Sequence, residues 1–310
     1  NSQIKNILKM SENNSNIDQT KQSCKAGVIA SADYRNEIVG LGLSAGINSM
    51  TVLCWLANFE NKPKDIYIFY AHFKEHSPES LEFVLAGVEY AKKHFENVIF
   101  EYTENSILEY FENEKMIPHP TYAPCTRVLK IEPVNRFISK HNITIDLVGY
   151  IRSEKRRIVN MESKGVNDLF LSKHFPISDL SDADCFEIVK REIGWYPKIY
   201  DLRWNNFGFM EFVKANLSRF TEDIQRKVLK KLGTEKPVFK HNNCLPCKNM
   251  QIDDLLCVEY FYPEFYKQAM ELSQKLQKHW GRDKDSFVDA FMTTFGREDW
   301  EVENGCKVCL

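Results

Sequence analysis

The segment Leu43-Ser-Ala-Gly-Ile-Asn-Ser49 sets two hydroxyls, a glycine and a side-chain amide between an apolar run and a helical pattern. A small-residue loop entering a helix gathers several backbone N–H groups around one anion, and the helix amino end adds about half a positive charge. Ser44 and Ser49 can offer hydroxyls to phosphate oxygens, and Gly46 is expected to take the backbone angle that a side chain would forbid. No Gly-Lys-Ser/Thr follows, so this is not a Walker A loop. The plainer alternative is a strand-to-helix turn without a ligand. Further on, Arg152, Lys155, Arg156 and Arg157 crowd in just after Gly149. Guanidinium forks of this kind clamp phosphate or sulfate oxygens, the alternative being a solvated basic face. Arg127 and Lys130, on the first turn of a predicted helix, offer a second arm.

Sulfur is the second chemistry. Cys244-Leu-Pro-Cys247 and Cys306-Lys-Val-Cys309 each leave two residues between thiols, a gap that lets both face one metal. A four-cysteine zinc site, a [4Fe-4S] cluster, and a redox-active or unliganded pair all remain open, with Cys257 and His241 as substitute ligands. Cys125 sits at a predicted helix amino terminus, which would lower a thiol pKa, although burial as an inert thiol is the commoner fate. The chain has nine cysteines, an odd number. Cys24, Cys54, Cys125, Cys185 and Cys257 are isolated, which argues against a disulfide framework and for a reducing, cytoplasmic setting.

These residues need elements to hold them. Glu37 to Leu43 reads as a buried strand, and Met50, Leu53, Cys54 and Ala57 fall on one helix face beyond the loop. Ile38 to Phe59 carries no charge and is long enough for a bilayer, but its glycines, serines and asparagines point to strand, loop and helix instead. Further strands are expected at Asp65 to Phe73, Asn97 to Tyr102, Asp146 to Gly149 and within Leu169 to Phe175. A helix is expected after Ser77 and Pro78, a short one over Ser106 to Glu114, and one over Cys125 to Lys140 bent near Pro133. Such alternation predicts an α/β fold with a doubly wound parallel sheet covered on both faces. Ser181-x-x-Asp184 forms a capping box for a helix ending at Gly194. From Phe207 the pattern is helical, including Phe209 to Leu232 and Pro263 to Trp280. The expected organisation is a flexible tail over 1–25 with no secretory signal, a nucleotide-type domain over 26–178, and a smaller helical, cysteine-bearing subdomain over 179–310. The aromatics of 260–266, with Trp195 and Trp204, can stack on bases; the core of the helical part is the expected role.

Ser44-Ala-Gly-Ile-Asn-Ser49 resembles the PP-loop, S-G-G-x-D-S, of the N-type ATP pyrophosphatases and, among them, the phosphoadenosine phosphosulfate (PAPS) reductase family. Cys125-Thr-Arg-Val-Leu-Lys-Ile-Glu-Pro133 resembles its C-T-R-x-L-K-x-x-P segment. Gly149-Tyr-Ile-Arg-Ser-Glu-Lys-Arg-Arg157 resembles its G-x-R-x-x-E-x-x-R, and Phe175 to Asp184 its Y-P-L-x-D-W-x-x-x-D. The resemblance spans about residues 35 to 195. It implies an adenine nucleotide, ATP or an adenylyl sulfate compound with Mg2+, and an enzyme of adenylyl or sulfur transfer. Carried onto these segments, the resemblance implies that Ser44, Ala45, Gly46, Ile47, Asn48, Ser49, Arg127, Lys130, Gly149, Arg152 and Arg157 would hold the nucleotide, Arg152 standing one place after the motif's first arginine position. Ser49, Asn48 and Arg152 would carry the catalysis. His72 stands where the family often has an acidic residue, and a partly buried structural histidine is expected there.

Asn48 departs from the family's aspartate. It keeps a carbonyl oxygen and loses the charge, and a unit charge at about 4 Å is worth on the order of 4 kcal/mol at intermediate dielectric. Binding can survive that loss, while ATP cleavage comes into question. A catalytically impaired nucleotide-binding or sensing module is the alternative, and nucleic-acid modification by sulfur transfer a second. The tail Glu303 to Leu310 lacks the family's E-C-G-L/I-H ending, which weakens the assimilatory reductase reading. Charges of 41 basic against 43 acidic residues leave a net of -2, so any contact with nucleic acid must come from a local patch. No amphipathic membrane helix stands out, and no membrane partner is expected.

Overall fold

The computed structural model describes residues 32–115, 124–163, 171–242, 244–247, 250 and 252–279. The predicted tail over 1–25, Cys24, Trp280, Cys306 and Cys309 lie outside the described residues. Strands β1 (Val39–Leu43), β2 (Asp65–Phe73), β3 (Asn97–Asn105), β4 (Ile145–Leu147) and β5 (Ser172–His174) form one sheet in the order β3-β2-β1-β4-β5. β1 runs parallel to β2 with Val39 opposite Ile66, and parallel to β4 with Val39 opposite Ile145. Chain order therefore reverses between β1 and β4. In an open parallel sheet that reversal leaves a crevice beyond the strand carboxyl ends, where ligands bind.

Helices flank the sheet: α1 (Ile47–Ala57), α2 (Ser80–Lys92), α3 (Ile107–Asn113), α4 (Glu132–His141), α5 (Lys155–Ser163) and α6 (Asp182–Glu192). This is the α/β, doubly wound fold that the alternating pattern implies. The uncharged stretch from Ile38 has its explanation in α1, of whose residues Ile47, Met50, Val52, Leu53, Cys54, Leu56 and Ala57 are all buried. A helix apolar all round belongs inside a protein. No helix among the described residues is long and apolar enough to cross a membrane. α6 starts on the predicted capping box: the Asp184 amide donates to Ser181 Oγ at 3.3 Å, and the Ser181 amide returns to Asp184 Oδ2 at 2.8 Å. Gly194, at φ 93°, closes it in the left-handed region.

The chain divides into two compact units, and not by a single cut. The first holds the chain up to Tyr70, Leu81–Tyr102 and Val134–Tyr196; the second holds Ala71–Ser80, Thr103–Pro133 and everything from Pro197. Sequence periodicity marks elements but not which long-range contacts join them, so the expected boundary near 178 does not describe this division. Within the second unit lie α7 (Phe207–Asn216), α8 (Glu222–Lys231), α9 (Ile252–Phe261) and α10 (Pro263–His279). The helix expected over Phe209 to Leu232 is broken by a 3-10 turn at Leu217–Arg219, and the next begins after Thr221. The helix expected from Ser77 starts at Ser80, whose amide first closes a turn on the Ser77 carbonyl at 2.9 Å. Before Pro133 the chain is a π-helical turn, Arg127–Ile131.

Aromatic residues build the core of the second unit. Phe209 stands 5.2 Å from Trp204, 5.3 Å from Tyr260 and 4.9 Å from Phe261, ring centre to ring centre. Tyr260 and Phe261 thus pack in the helical core as expected. A second apolar cluster joins Phe73, Ile107, Phe111, Cys125, Cys244, Leu272 and Leu276.

Candidate functional site

The loop leaving β1 is braced by one hydroxyl. Ser49 Oγ donates to the Gly46 carbonyl at 3.1 Å and receives the Ser44 amide at 3.1 Å, with Ser44 Oγ also 3.1 Å away. Ser49 is nearly buried, while Ser44 is exposed. The Ser49 hydroxyl, expected to serve phosphate, is therefore engaged in shaping the turn, and Ser44 is the one open to solvent. The left-handed residue is Ala45, at φ 57°, whereas Gly46 is extended at φ -92° and ψ 155°. That corrects the expectation that Gly46 takes the special angle. The first glycine of the resembled loop falls on Ala45, and an alanine there carries on the order of 1–2 kcal/mol of strain that glycine would not. Gly46 caps α1 without a side-chain bond, so the helix amino end is left to backbone groups.

The loop leaving β4 closes on this turn. A methyl group on Gly149 would stand 3.0 Å from the carbonyl carbon and oxygen of Asn48 and 3.1 Å from the Ser49 amide nitrogen. A methyl there would fit only if the facing backbone gave way by a few tenths of an ångström. Immediately beyond, Glu154 faces the turn: Asn48 Nδ2 donates to Glu154 Oε2 at 3.4 Å, as does the Ile151 amide at 3.4 Å. Arg157 donates to the other oxygen, Glu154 Oε1, and its guanidinium lies 5.2 Å from the centre of the Tyr150 ring. Tyr150 stacks in turn on Phe175, the rings 5.8 Å apart and only 6° from parallel. Arg157 is thus held between a carboxylate and an aromatic face.

The segment after β5 returns to hold Arg152. Its backbone amide donates to the Leu180 carbonyl at 3.0 Å, and its guanidinium donates through Nε to the Asp179 carbonyl at 3.0 Å, with Nη2 on the same oxygen. Arg152 is exposed, so its remaining donors face solvent. Arg152 and the Ser181 donors together hold the Asp184 carboxyl below its ordinary range, the Ser181 amide being the largest influence. Lys155 and Arg156 are exposed. Ser44, Ala45, Gly46, Ile47, Asn48, Ser49, Gly149, Arg152 and Arg157 therefore all lie in the first unit, around the β1 and β4 ends. Arg127 and Lys130 fall in the second, where Arg127 Nε is 3.5 Å from Glu132 Oε1 and Lys130 Nζ is 5.0 Å from the Phe73 ring centre.

Sequence reasoning gave no role in this assembly to Glu154, Tyr150, Phe175 or the Asp179 carbonyl. Glu154 stands at the glutamate of the G-x-R-x-x-E-x-x-R segment, and its spacing of three from Arg157 was the signal for its role.

A magnesium ion carried on nucleotide phosphates takes hard oxygen ligands. Asn48 and Glu154 each carry such an oxygen on adjoining side chains, so the residue types fit the ion, which would replace the present Asn48 N–H bond to Glu154 Oε2. The described thiols do not form a comparable set, and the Cys306 and Cys309 half of the expected four-cysteine site lies outside the described residues. Cys244 and Cys125 are buried in the apolar cluster and Cys247 is half-buried beside it. Burial pushes the Cys244 thiol up to about 12. Cys257 is sealed in α9, its thiol donating to the Asp253 carbonyl at 3.0 Å, and His241 is exposed. Among the described residues no group of three or more His, Cys, Asp or Glu is arranged to hold a metal. His72 is partly buried, and desolvation lowers its pKa, as a structural histidine would show.

A parallel sheet whose strand order reverses at a small-residue turn defines a Rossmann-like, doubly wound α/β class of fold with a crevice at the reversal. The model of the phosphoadenosine phosphosulfate reductase domain matches residues 39–214, more than half of the chain. The chain belongs to that family. Among solved structures it is similar to a phosphoadenylyl-sulfate (PAPS) reductase from Candida auris at 12% identity, covering 53% of this chain and 76% of that one, with a TM-score of 0.38. It is also similar to the U34-tRNA thiolase NcsA from Methanococcus maripaludis, with its [4Fe-4S] cluster, at 12% identity, 99% and 86% coverage and a TM-score of 0.39. NMN synthetase from Francisella tularensis follows at 13% identity, 77% and 87% coverage and a TM-score of 0.35. No curated protein matches. The functional reading rests on the family match and the site, not on these distant likenesses.

Proposed function

We propose that the chain is an enzyme that binds ATP or an adenylyl sulfate compound in the crevice between the β1 and β4 ends and acts in adenylyl or sulfur transfer. The observation that carries this reading is the closure of Gly149 onto the backbone of Asn48 and Ser49, which joins a phosphate-type turn to an arginine-bearing loop in a chain of this family. Backbone amides at the start of α1, with Ser44, take the phosphate oxygens; Arg152 and Arg157 neutralise the charge that builds up as pyrophosphate or sulfite leaves. Bound Mg2+ would supply charge neutralisation on the phosphates, held by Asn48 and Glu154. Ser49 keeps the turn in shape. The acceptor is an unidentified substrate, nucleic acid included.

Calorimetry with ATP, ADP and adenosine 5′-phosphosulfate, together with assays for released pyrophosphate and sulfite, tests the reading. At least one of these ligands is expected to bind and to be turned over, and Ser49→Ala to lose both binding and turnover by about tenfold or more, since the brace holds the binding amides in place. No binding of any of the three at millimolar concentration would overturn it.

The second reading, a nucleotide-binding module without turnover, draws on one observation: Asn48 spends its amide on Glu154 instead of presenting a charge. Tight binding with neither pyrophosphate nor sulfite released would select it.

A further inference from the structure

We infer that Glu154 supplies, from the loop after β4, the anionic oxygen that the loop after β1 lacks at Asn48, so that the cation accompanying a bound nucleotide is held across the crevice by one residue from each loop. This rests on the nucleotide reading above. Glu154 is largely buried, with its side chain 15% exposed. Its two oxygens differ. Oε1 is taken by Arg157, while Oε2, among the described residues, has two contacts of 3.4 Å, from Asn48 Nδ2 and the Ile151 amide. Bonds of that length are weak, and a carboxylate oxygen has room for a further partner. Because Asn48 turns its N–H toward Glu154, its carbonyl oxygen is left as an acceptor.

The pairing also explains why position 48 is an amide. An aspartate there would bring two carboxylates together, with repulsion that only a cation between them relieves. An asparagine donates to Glu154 instead, and the turn stays assembled with no ion bound. The negative charge beside the turn then rests on Glu154 alone. Arg157 keeps Glu154 extended toward the turn, and its seat on Tyr150 fixes it in that place.

Affinity for ATP is measured by calorimetry with and without Mg2+, on the wild type, Glu154→Gln, and the pair Glu154→Gln/Asn48→Asp. Mg2+ is expected to raise wild-type affinity by about tenfold or more, Glu154→Gln to abolish that gain, and the pair to restore it. A gain that survives in Glu154→Gln overturns the inference. So does a gain lost but not restored, which makes Glu154 a support for Arg157 alone. Wild-type binding indifferent to Mg2+ overturns the inference and leaves the nucleotide reading intact, whereas no ATP binding under either condition removes both. Should Glu154→Gln not fold, Asn48→Asp alone is the variant, since it leaves Glu154 and Arg157 in place. Two facing carboxylates are then expected to bind Mn2+ without nucleotide, seen by electron paramagnetic resonance, and absence of that signal overturns the placement.

Discussion

Gly149 and Asn48 meet backbone to backbone: a methyl on the glycine would lie 3.0 Å from the Asn48 carbonyl carbon and oxygen. One residue follows β4 at a short distance and the other opens α1, so this contact fixes the width of the crevice between two parallel strands. Neither atom it would strike belongs to a flexible side chain. Relief has to come from the backbone of the loop or of the helix.

Gly149→Ala is accordingly expected to cost about 1–3 kcal/mol of stability and to weaken adenylyl-ligand binding more than it weakens the fold. Chemical denaturation and calorimetry on the same variant check this. A stable protein with unchanged affinity would mean that the crevice width does not matter to the ligand.

Ala45 gives a sharper test of the turn, because opposing effects nearly cancel there. Its φ of 57° strains an alanine, yet its methyl is buried, 1% exposed. Ala45→Gly relieves the strain, loses about 0.8 kcal/mol of methyl burial and adds roughly 0.4–1 kcal/mol of unfolded-state entropy. The net change is expected to stay within about 1 kcal/mol of zero. Ala45→Val, with a branched side chain in the left-handed region, is expected to cost more than about 2 kcal/mol. Denaturant midpoints of the two variants, compared at equal slope, separate this from an ordinary core position, where the glycine variant would be clearly the weaker fold.

How much of this was legible beforehand varies with the range of the interaction. The Ser181 and Asp184 box, the glycine ending α6 and the uncharged strand-turn-helix from Ile38 are local patterns, and all three stand in the structure. The turn's composition pointed to an anion loop, but not to Ala45 as its left-handed residue, since a glycine next door is the natural choice. The two units were not legible at all. Glu75, after β2, accepts the Leu245 amide on its backbone carbonyl at 2.7 Å, while its carboxylate receives the Ile107 amide at 2.9 Å. No periodicity announces that a loop of the sheet will join a cysteine loop far along the chain. Glu154 was hidden for a similar reason, as its partners lie on both sides of a strand crossover.

Asp146 in β4 gives the chain a pH signature. Burial pushes its carboxyl up to about 6, opposed by Lys173 at 3.7 Å. A raised carboxyl favours the protonated folded form, so the penalty is absent well below the unfolded value of about 4, grows as pH rises from there to about 6, and is complete above. Asp146→Asn is expected to match the wild type at pH 4 and to be more stable by about 1–3 kcal/mol at pH 7.5. Urea unfolding across that range checks the sign, and a variant weaker at pH 7.5 would show that the Lys173 pairing outweighs the burial.

Thiol reactivity follows from burial within each unit. Cys54, Cys125, Cys185, Cys244 and Cys257 are buried, and Cys247 is half-buried. The thiolate is the nucleophile, and burial pushes the Cys185 and Cys244 thiols up to about 12, leaving almost none ionised at pH 8. Among these six, Cys247 is expected to be alkylated first by iodoacetamide under native conditions, and Cys244 only at the rate of local opening. Peptide mass spectrometry over a time course orders the sites. Simultaneous modification of Cys244 and Cys247 would show that their loop opens as one piece, while prior modification of Cys244 would contradict its burial against Phe73 and Leu272.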